Sequence, residues 1–164
     1  MGLQQRGACR ARVGAALLAL LGVAGCTGQP ASTSAWQSSS ERVIGTAISG
    51  LGTARLVVTQ EQRSRLQHSY AVVASTDTID TTAKEVSSYL VKQPPDQLHD
   101  AQAVVTDALQ RTVTLLSQVR IELASPGMDA QAAARLVKQI DAMRKALEKL
   151  QTGVTSSPAA VSSR

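Results

Sequence analysis

The sequence contains no phenylalanine, one tryptophan and two tyrosines in 164 residues. Few aromatic faces leave little platform for stacking bases or sugars. A core must then come from small aliphatic side chains, which suits closely packed helices. Histidine is also scarce. His68 and His99 are the only two, and no Glu-x-x-His pair occurs, the pattern that places metals inside four-helix bundles. No Gly-x-Ser-x-Gly is present, so a serine nucleophile lacks its usual setting. Gly50-Leu51-Gly52 lies within a helical pattern and follows no strand, unlike a phosphate-cradling loop. These absences argue against an enzyme, and no cofactor or metal is expected. Both histidines read as surface or capping residues.

The formal charge of +5 divides unevenly. Arg6, Arg10 and Arg12 precede residue 26 and no acid does, leaving 14 Lys or Arg against 12 Asp or Glu in the remainder. Phosphate binding needs clustered cations that release counterions. Here cations alternate with acids, as in Arg135, Lys138, Asp141, Arg144, Lys145 and Glu148. That pattern describes a solvated helix face, and nucleic acid is not an expected partner.

The first 26 residues have the layout of a secretory leader. Met1 to Arg12 is polar and basic, and Val13 to Val23 is an apolar run. Counted on to Gly25, the stretch is 13 residues, short of the roughly 20 that a spanning helix needs. It ends in Val23-Ala24-Gly25-Cys26. This tetrapeptide resembles the lipobox of bacterial lipoproteins, in which an aliphatic and two small residues precede an obligatory cysteine. The family prefers Leu where this chain has Val23. The resemblance implies that Cys26 Sγ carries a diacylglyceryl group, that cleavage follows Gly25, and that the freed amine of Cys26 is available for acylation. Cleavage would also remove Cys9, the other cysteine, so no internal disulfide is expected. Two or three acyl chains hold a protein stably at a bilayer where one holds it marginally. The expected partner of Cys26 is therefore a membrane, and the expected location is its outer, extracytoplasmic face.

The expected organisation is a leader over 1–25, a flexible Ser/Thr-rich tether over 26–39, a helical body over 40–152 and a disordered tail over 153–164. Trp36 stands out in the tether, with two placements open: the lipid interface or the underside of the body.

Within the body, apolar residues recur at spacings of three and four, the signature of amphipathic helices. Period-two alternation is absent. Four segments emerge: 39–65, 69–92, 95–124 and 129–152. Their expected seams are Ile44, Ala47 or Ile48, Leu51, Ala54 and Val58 in the first, and Val72, Thr76, Ile79, Ala83, Val86 and Leu90 in the second. The third has Leu98, Val105, Leu109, Thr112, Leu116, Val119 and Leu123. The fourth has Ala133, Leu136, Ile140, Met143, Leu147 and Leu150. Pro94 stops the second helix, Asp129 caps the fourth, and Gly153 ends it. Short connections predict an all-α, antiparallel up-down-up-down four-helix bundle. Leu66-Gln67-His68-Ser69 holds no Gly or Pro, so one long bent helix is an alternative at the first corner. The antiparallel register predicts Asp80 level with Arg55, Arg111 near Asp141, and Asp107 near Lys145.

Two surface features invite a binding role. Gly45, Ser49 and Gly52 form a small-residue strip that admits a close partner helix or an apolar ligand, or lets the first helix sit tightly on its own neighbours. The hydroxyls of the second helix, Ser75, Thr76, Thr78, Thr81, Thr82, Ser87 and Ser88, form either a polar docking face or a solvated surface. The body also resembles, in its Ala/Val/Leu/Arg composition, the small all-helical lipoproteins of high-GC Gram-positive bacteria. Together these readings predict a non-catalytic interaction module that binds another envelope protein or itself. The competing expectation is a carrier that holds a small apolar ligand between its helices.

Overall fold

A computed structural model describes residues 32–125 and 127–156. Gly25, Cys26 and residues 157–164 lie outside the described residues. Four α-helices, with no strand among the described residues, pack as a helical bundle: α1 (Thr33–Gln62), α2 (His68–Leu90), α3 (His99–Ala124) and α4 (Ala130–Ser156). A single 3₁₀ turn, Asp96–Leu98, precedes α3.

Helix α1 begins inside the stretch expected to be tether. Ser32 Oγ accepts the Ala35 amide at 3.2 Å, a side-chain cap for the first turn. Trp36 and Ser40 then continue the buried stripe downward from Ile44. Residues 33–39 are therefore helix, because a cap and a buried face outweigh the Ser/Thr-rich composition. At the other end, α4 runs through Gly153 to Ser156. Val154 is fully buried, and the hydroxyls of Thr155 and Ser156 donate to Gln151 O and Thr152 O. Burial of one valine carries the helix past a residue costing about 1 kcal/mol against alanine.

The first corner is a true break. Ser64 takes a left-handed conformation (φ 52°), its amide bonding Glu61 O and that of Arg65 bonding Gln60 O. These bonds satisfy terminal carbonyls of α1 as a glycine-bearing C-cap would. Asp129 Oδ1 accepts the Ala132 amide at 2.7 Å and so caps α4 as its sequence position suggests.

The α3 seam holds at every residue, and in α4 Ala133, Leu136, Ile140 and Leu147 are buried, with Met143 and Leu150 packed against the core. The α2 seam is different. Ile79 and Val86 are buried as expected, but Ala71, Ser75, Thr82 and Tyr89 take the buried places expected for Val72, Thr76, Ala83 and Leu90. The cause is close approach to α1. A Cβ added at Gly50 would stand 2.7 Å from Thr82 Oγ1 and 3.5 Å from Thr78 Cγ2. So near a neighbour, α2 turns its small residues inward, and Val73 and Leu90 are left exposed.

Helix α1 touches all three others, most extensively α4, while α3 and α4 meet sparsely. The ion pairs follow this arrangement and correct the expected register. Arg55 Nε bonds Asp141 Oδ1 at 2.8 Å across α1 and α4, where Asp80 was the expected neighbour. Arg111 pairs with Asp107 inside α3 at 3.0 Å, and among the described residues no ion pair joins them to Asp141 or Lys145, the neighbours expected on α4. Such exposed pairs contribute about 0–1 kcal/mol each.

The two glycines two residues apart should respond oppositely. Gly50→Val is expected to lower unfolding free energy by about 1–3 kcal/mol through overpacking. At Gly52 an added Cβ meets nothing within 4 Å, so Gly52→Ala should raise stability by up to about 1 kcal/mol. Urea unfolding of both variants checks the pair of signs.

Candidate functional site

The candidate site features lie at one end of the bundle and in two surface clefts. At the end where α1 begins, four side chains form a hydrogen-bonded group. Trp36 Nε1 donates to Gln102 Oε1 on α3 at 2.6 Å. Ser40 Oγ donates to Trp36 O at 2.9 Å and lies 2.9 Å from the Tyr89 hydroxyl. Ser40 has one proton and spends it on the carbonyl, so Tyr89 is the donor in the second bond. Trp36 is 3% exposed, which decides its placement: it packs under the body and joins α1 to α3. Beside it Gln37 Nε2 donates to Thr155 O at 2.9 Å, tying the start of α1 to the end of α4. Burial pushes the Tyr89 phenol above its ordinary value.

The first cleft runs between α1 and α2 and has a volume of about 280 Å³. Thr46, Ser49, Gly50 and Thr53 line it from α1, and Asp77, Thr78, Thr81 and Thr82 from α2. It lies beside the Gly50–Thr82 contact, where the flanking side chains are short. The second is an open groove of about 450 Å³ where α3 and α4 stand apart. Its lining is mostly apolar: Ala108, Leu115, Ala142, Met143 and Ala146, with Asp107 and Arg111 on α3.

The small-residue strip is not one surface. Ser49 lines the α1–α2 cleft. Gly45 approaches Gln151 of α4, an added Cβ standing 3.8 Å from Nε2, and Gly52 faces open space. Gly50 is the glycine that admits a close neighbour, and it was missed because it lies on the apolar seam with Ala47 and Leu51. Of the α2 hydroxyls, Thr78, Thr81 and Thr82 reach the cleft, while Ser75 is buried and donates to Val72 O.

His68 sits at the first corner, its Nδ1 3.0 Å from Glu61 Oε1. Glu61 Oε2 is buried without a hydrogen-bond partner among the described residues. His99 opens α3, 3.8 Å from Asp96. Among the described residues no three His, Cys, Asp or Glu side chains gather as metal ligands.

The raised phenol of Tyr89 fixes a direction for pH dependence. Its folded-state value exceeds the unfolded value of about 10, so its stabilisation is complete below that pH and is lost as pH climbs through the folded value. Unfolding midpoints of the parent should fall more steeply above about pH 10 than those of Tyr89→Phe. Near neutrality the variant should be weaker by about 1 kcal/mol for its lost hydrogen bond. Parallel declines in alkali would show that Tyr89 has no part in the loss.

Compared with protein-family models, with curated proteins and with solved structures, the chain matches none.

Proposed function

We propose that this chain is a lipoprotein held at the extracytoplasmic face of a cell membrane by lipid on Cys26, with its bundle acting as a non-catalytic interaction module of the cell envelope. The observation that carries the reading is the tetrapeptide Val23-Ala24-Gly25-Cys26 behind a basic and then apolar leader. No described helix is long and apolar enough to cross a membrane, so attachment on this reading depends on the acyl chains alone. Six residues, Thr27 to Ser32, separate Cys26 from α1. They reach at most about 20 Å when extended, which would seat the Trp36 end of the bundle against the lipid headgroups.

The finer topology belongs to the same proposal: an antiparallel up-down-up-down bundle. Its support lies in paired contacts. Gln37 meets Thr155 and Arg55 meets Asp141, so the chain runs oppositely in α1 and α4. Ser40 meets Tyr89 and Gly50 meets Thr82, an opposite run in α1 and α2. Gln97, just before α3, bonds Thr33, and Gln102 bonds Trp36, which puts the beginnings of α1 and α3 side by side.

Cell fractionation of Cys26→Ser tests the anchor. The parent is expected with the membrane and the variant in the soluble fraction or arrested with its leader uncleaved. Mass spectrometry should find acyl chains on the parent only. A bare sulfur in the parent, with both proteins equally membrane-bound, overturns the reading.

One observation favours a second reading, a carrier of a small apolar ligand: the groove between α3 and α4, lined by Ala108, Leu115, Ala142, Met143 and Ala146. On that reading, native mass spectrometry after mild extraction should show a noncovalent apolar adduct, lost in Ala142→Phe, which fills the groove. A parent free of any adduct leaves the interaction module as the reading.

A further inference from the structure

Four of the six hydroxyls lining the cleft between α1 and α2 have only acceptor lone pairs to offer, while Ser49 and Thr81 keep protons that their own helices do not bind. Thr46 donates its hydroxyl proton to Arg42 O, Thr53 to Ser49 O, Thr78 to Ala74 O and Thr82 to Thr78 O, at 2.7–3.2 Å. A threonine hydroxyl has one proton and two lone pairs. Once its proton is bound one turn back along the helix, only the lone pairs remain for a visitor. Asp77 adds a carboxylate to the same lining and pairs with no cation within 4.0 Å among the described residues. The methyl group of Thr78 supplies apolar surface next to these oxygens.

We infer that this cleft is a binding site for a primary alkylammonium group. The complementary ligand carries several donors and no acceptor at its head and a slender apolar stem behind it. An ammonium on an unbranched alkyl chain has this form, with three rotatable N–H donors on a point charge. A guanidinium is a poorer match: its planar fork favours bidentate carboxylates, and Asp77 is here the lone acid among hydroxyls. A bare metal ion is also a poor match, since hard cations are held by several oxygen ligands that usually include more than one carboxylate or carbonyl. The same head group occurs on free polyamines and on lysine side chains of a partner protein. The site goes beyond the anchoring proposal and does not depend on it: the cleft is a property of the described helices whether or not Cys26 is acylated.

The test is a titration of the whole chain in detergent micelles, followed by amide and threonine-methyl NMR. The probes are 1,5-diaminopentane, a short lysine-bearing peptide and tetramethylammonium at matched ionic strength. Tetramethylammonium has the charge without the N–H donors. The diamine is expected to shift Thr46, Ser49, Thr53, Asp77, Thr78 and Thr81 saturably, and tetramethylammonium to leave them in place. Asp77→Asn should weaken binding by about fivefold, the effect of one partly exposed charge pair. Asp80→Asn, which removes an equal charge from α2 outside the cleft, should change nothing. A response to the diamine alone assigns the site to free polyamines, and a response to the peptide as well assigns it to a partner's lysine. Shifts scattered over surface acids, an equal response to tetramethylammonium, or undiminished binding in Asp77→Asn would each overturn the proposal. Loss of membrane attachment in Cys26→Ser would leave it standing.

Discussion

Buried hydroxyls in this protein are satisfied by their own helices, and the rest of the packing depends on that. Ser40, Ser75, Thr82 and Thr112 are all buried, and each donates to a carbonyl three or four residues back. A buried hydroxyl without a partner would cost about 1–3 kcal/mol. Turned back on its own helix, it presents the next helix with a methyl or methylene and a saturated donor. A chain with no phenylalanine can then use serine and threonine as small core residues. This lets α2 lie against Gly50 with Thr82 at the contact. A valine at position 82 would match the shape and lose the oxygen, and a leucine would not fit.

Close contact on one side of α1 has a counterpart elsewhere. α1 is packed against α4, α2 and α3, so its seam is broad: Val43, Ile44, Ala47, Leu51, Ala54, Val57 and Val58 are all buried. With α4 drawn toward α1, the α3–α4 side is left open and Arg111 closes on its own helix through Asp107. Where α1 and α2 meet, the residues are short and hydroxyl-bearing, so the opening is lined by threonines, Ser49 and Asp77. Where α3 and α4 diverge, the residues are apolar, so the opening is lined by alanine, leucine and methionine. The chemical contrast between them follows from which helices approach and which part.

The periodicity of α3 and α4 was legible because large aliphatic residues mark their seams without competition. At α2 the rule of choosing the bulkier apolar residue fails. Val72, Ala83 and Leu90 outrank Ala71, Thr82 and Tyr89 by hydrophobicity, yet the latter three are inside. The bare Gly50, one helix away, accounts for Thr82, and the bond to Ser40 accounts for Tyr89; a single helix's pattern does not contain that information. The same limit applied at Ser64, where a serine takes the left-handed position usually signalled by glycine, and at residues 33–39, where composition suggests a tether and Trp36 supplies the buried anchor. Ion-pair register was the least legible feature. It depends on which helices are neighbours, and Arg55 found Asp141 because α4 packs most extensively on α1. In the candidate site, Thr78, Thr81 and Thr82 were visible as a hydroxyl-rich face, whereas Asp77 and Gly50 gained meaning from the contact.

The geometry of α1 also relates the proposed anchor to the inferred cleft. Gly50 lies 17 residues beyond Thr33 on one continuous helix, a rise of about 26 Å. If acyl chains on Cys26 hold the Trp36 end at the headgroups, and α1 stands away from the membrane, the cleft is more than two Debye lengths above it at physiological salt. At that height the charge of anionic lipids is screened. A cation in the cleft would then answer to Asp77 and its surrounding hydroxyls, and the bilayer would add little attraction. A tilted α1 would bring the cleft down toward the lipid, and cation affinity would rise with the share of anionic headgroups. On the anchoring proposal, the inclination of one helix thus decides whether the cleft samples the surrounding solution or the membrane surface.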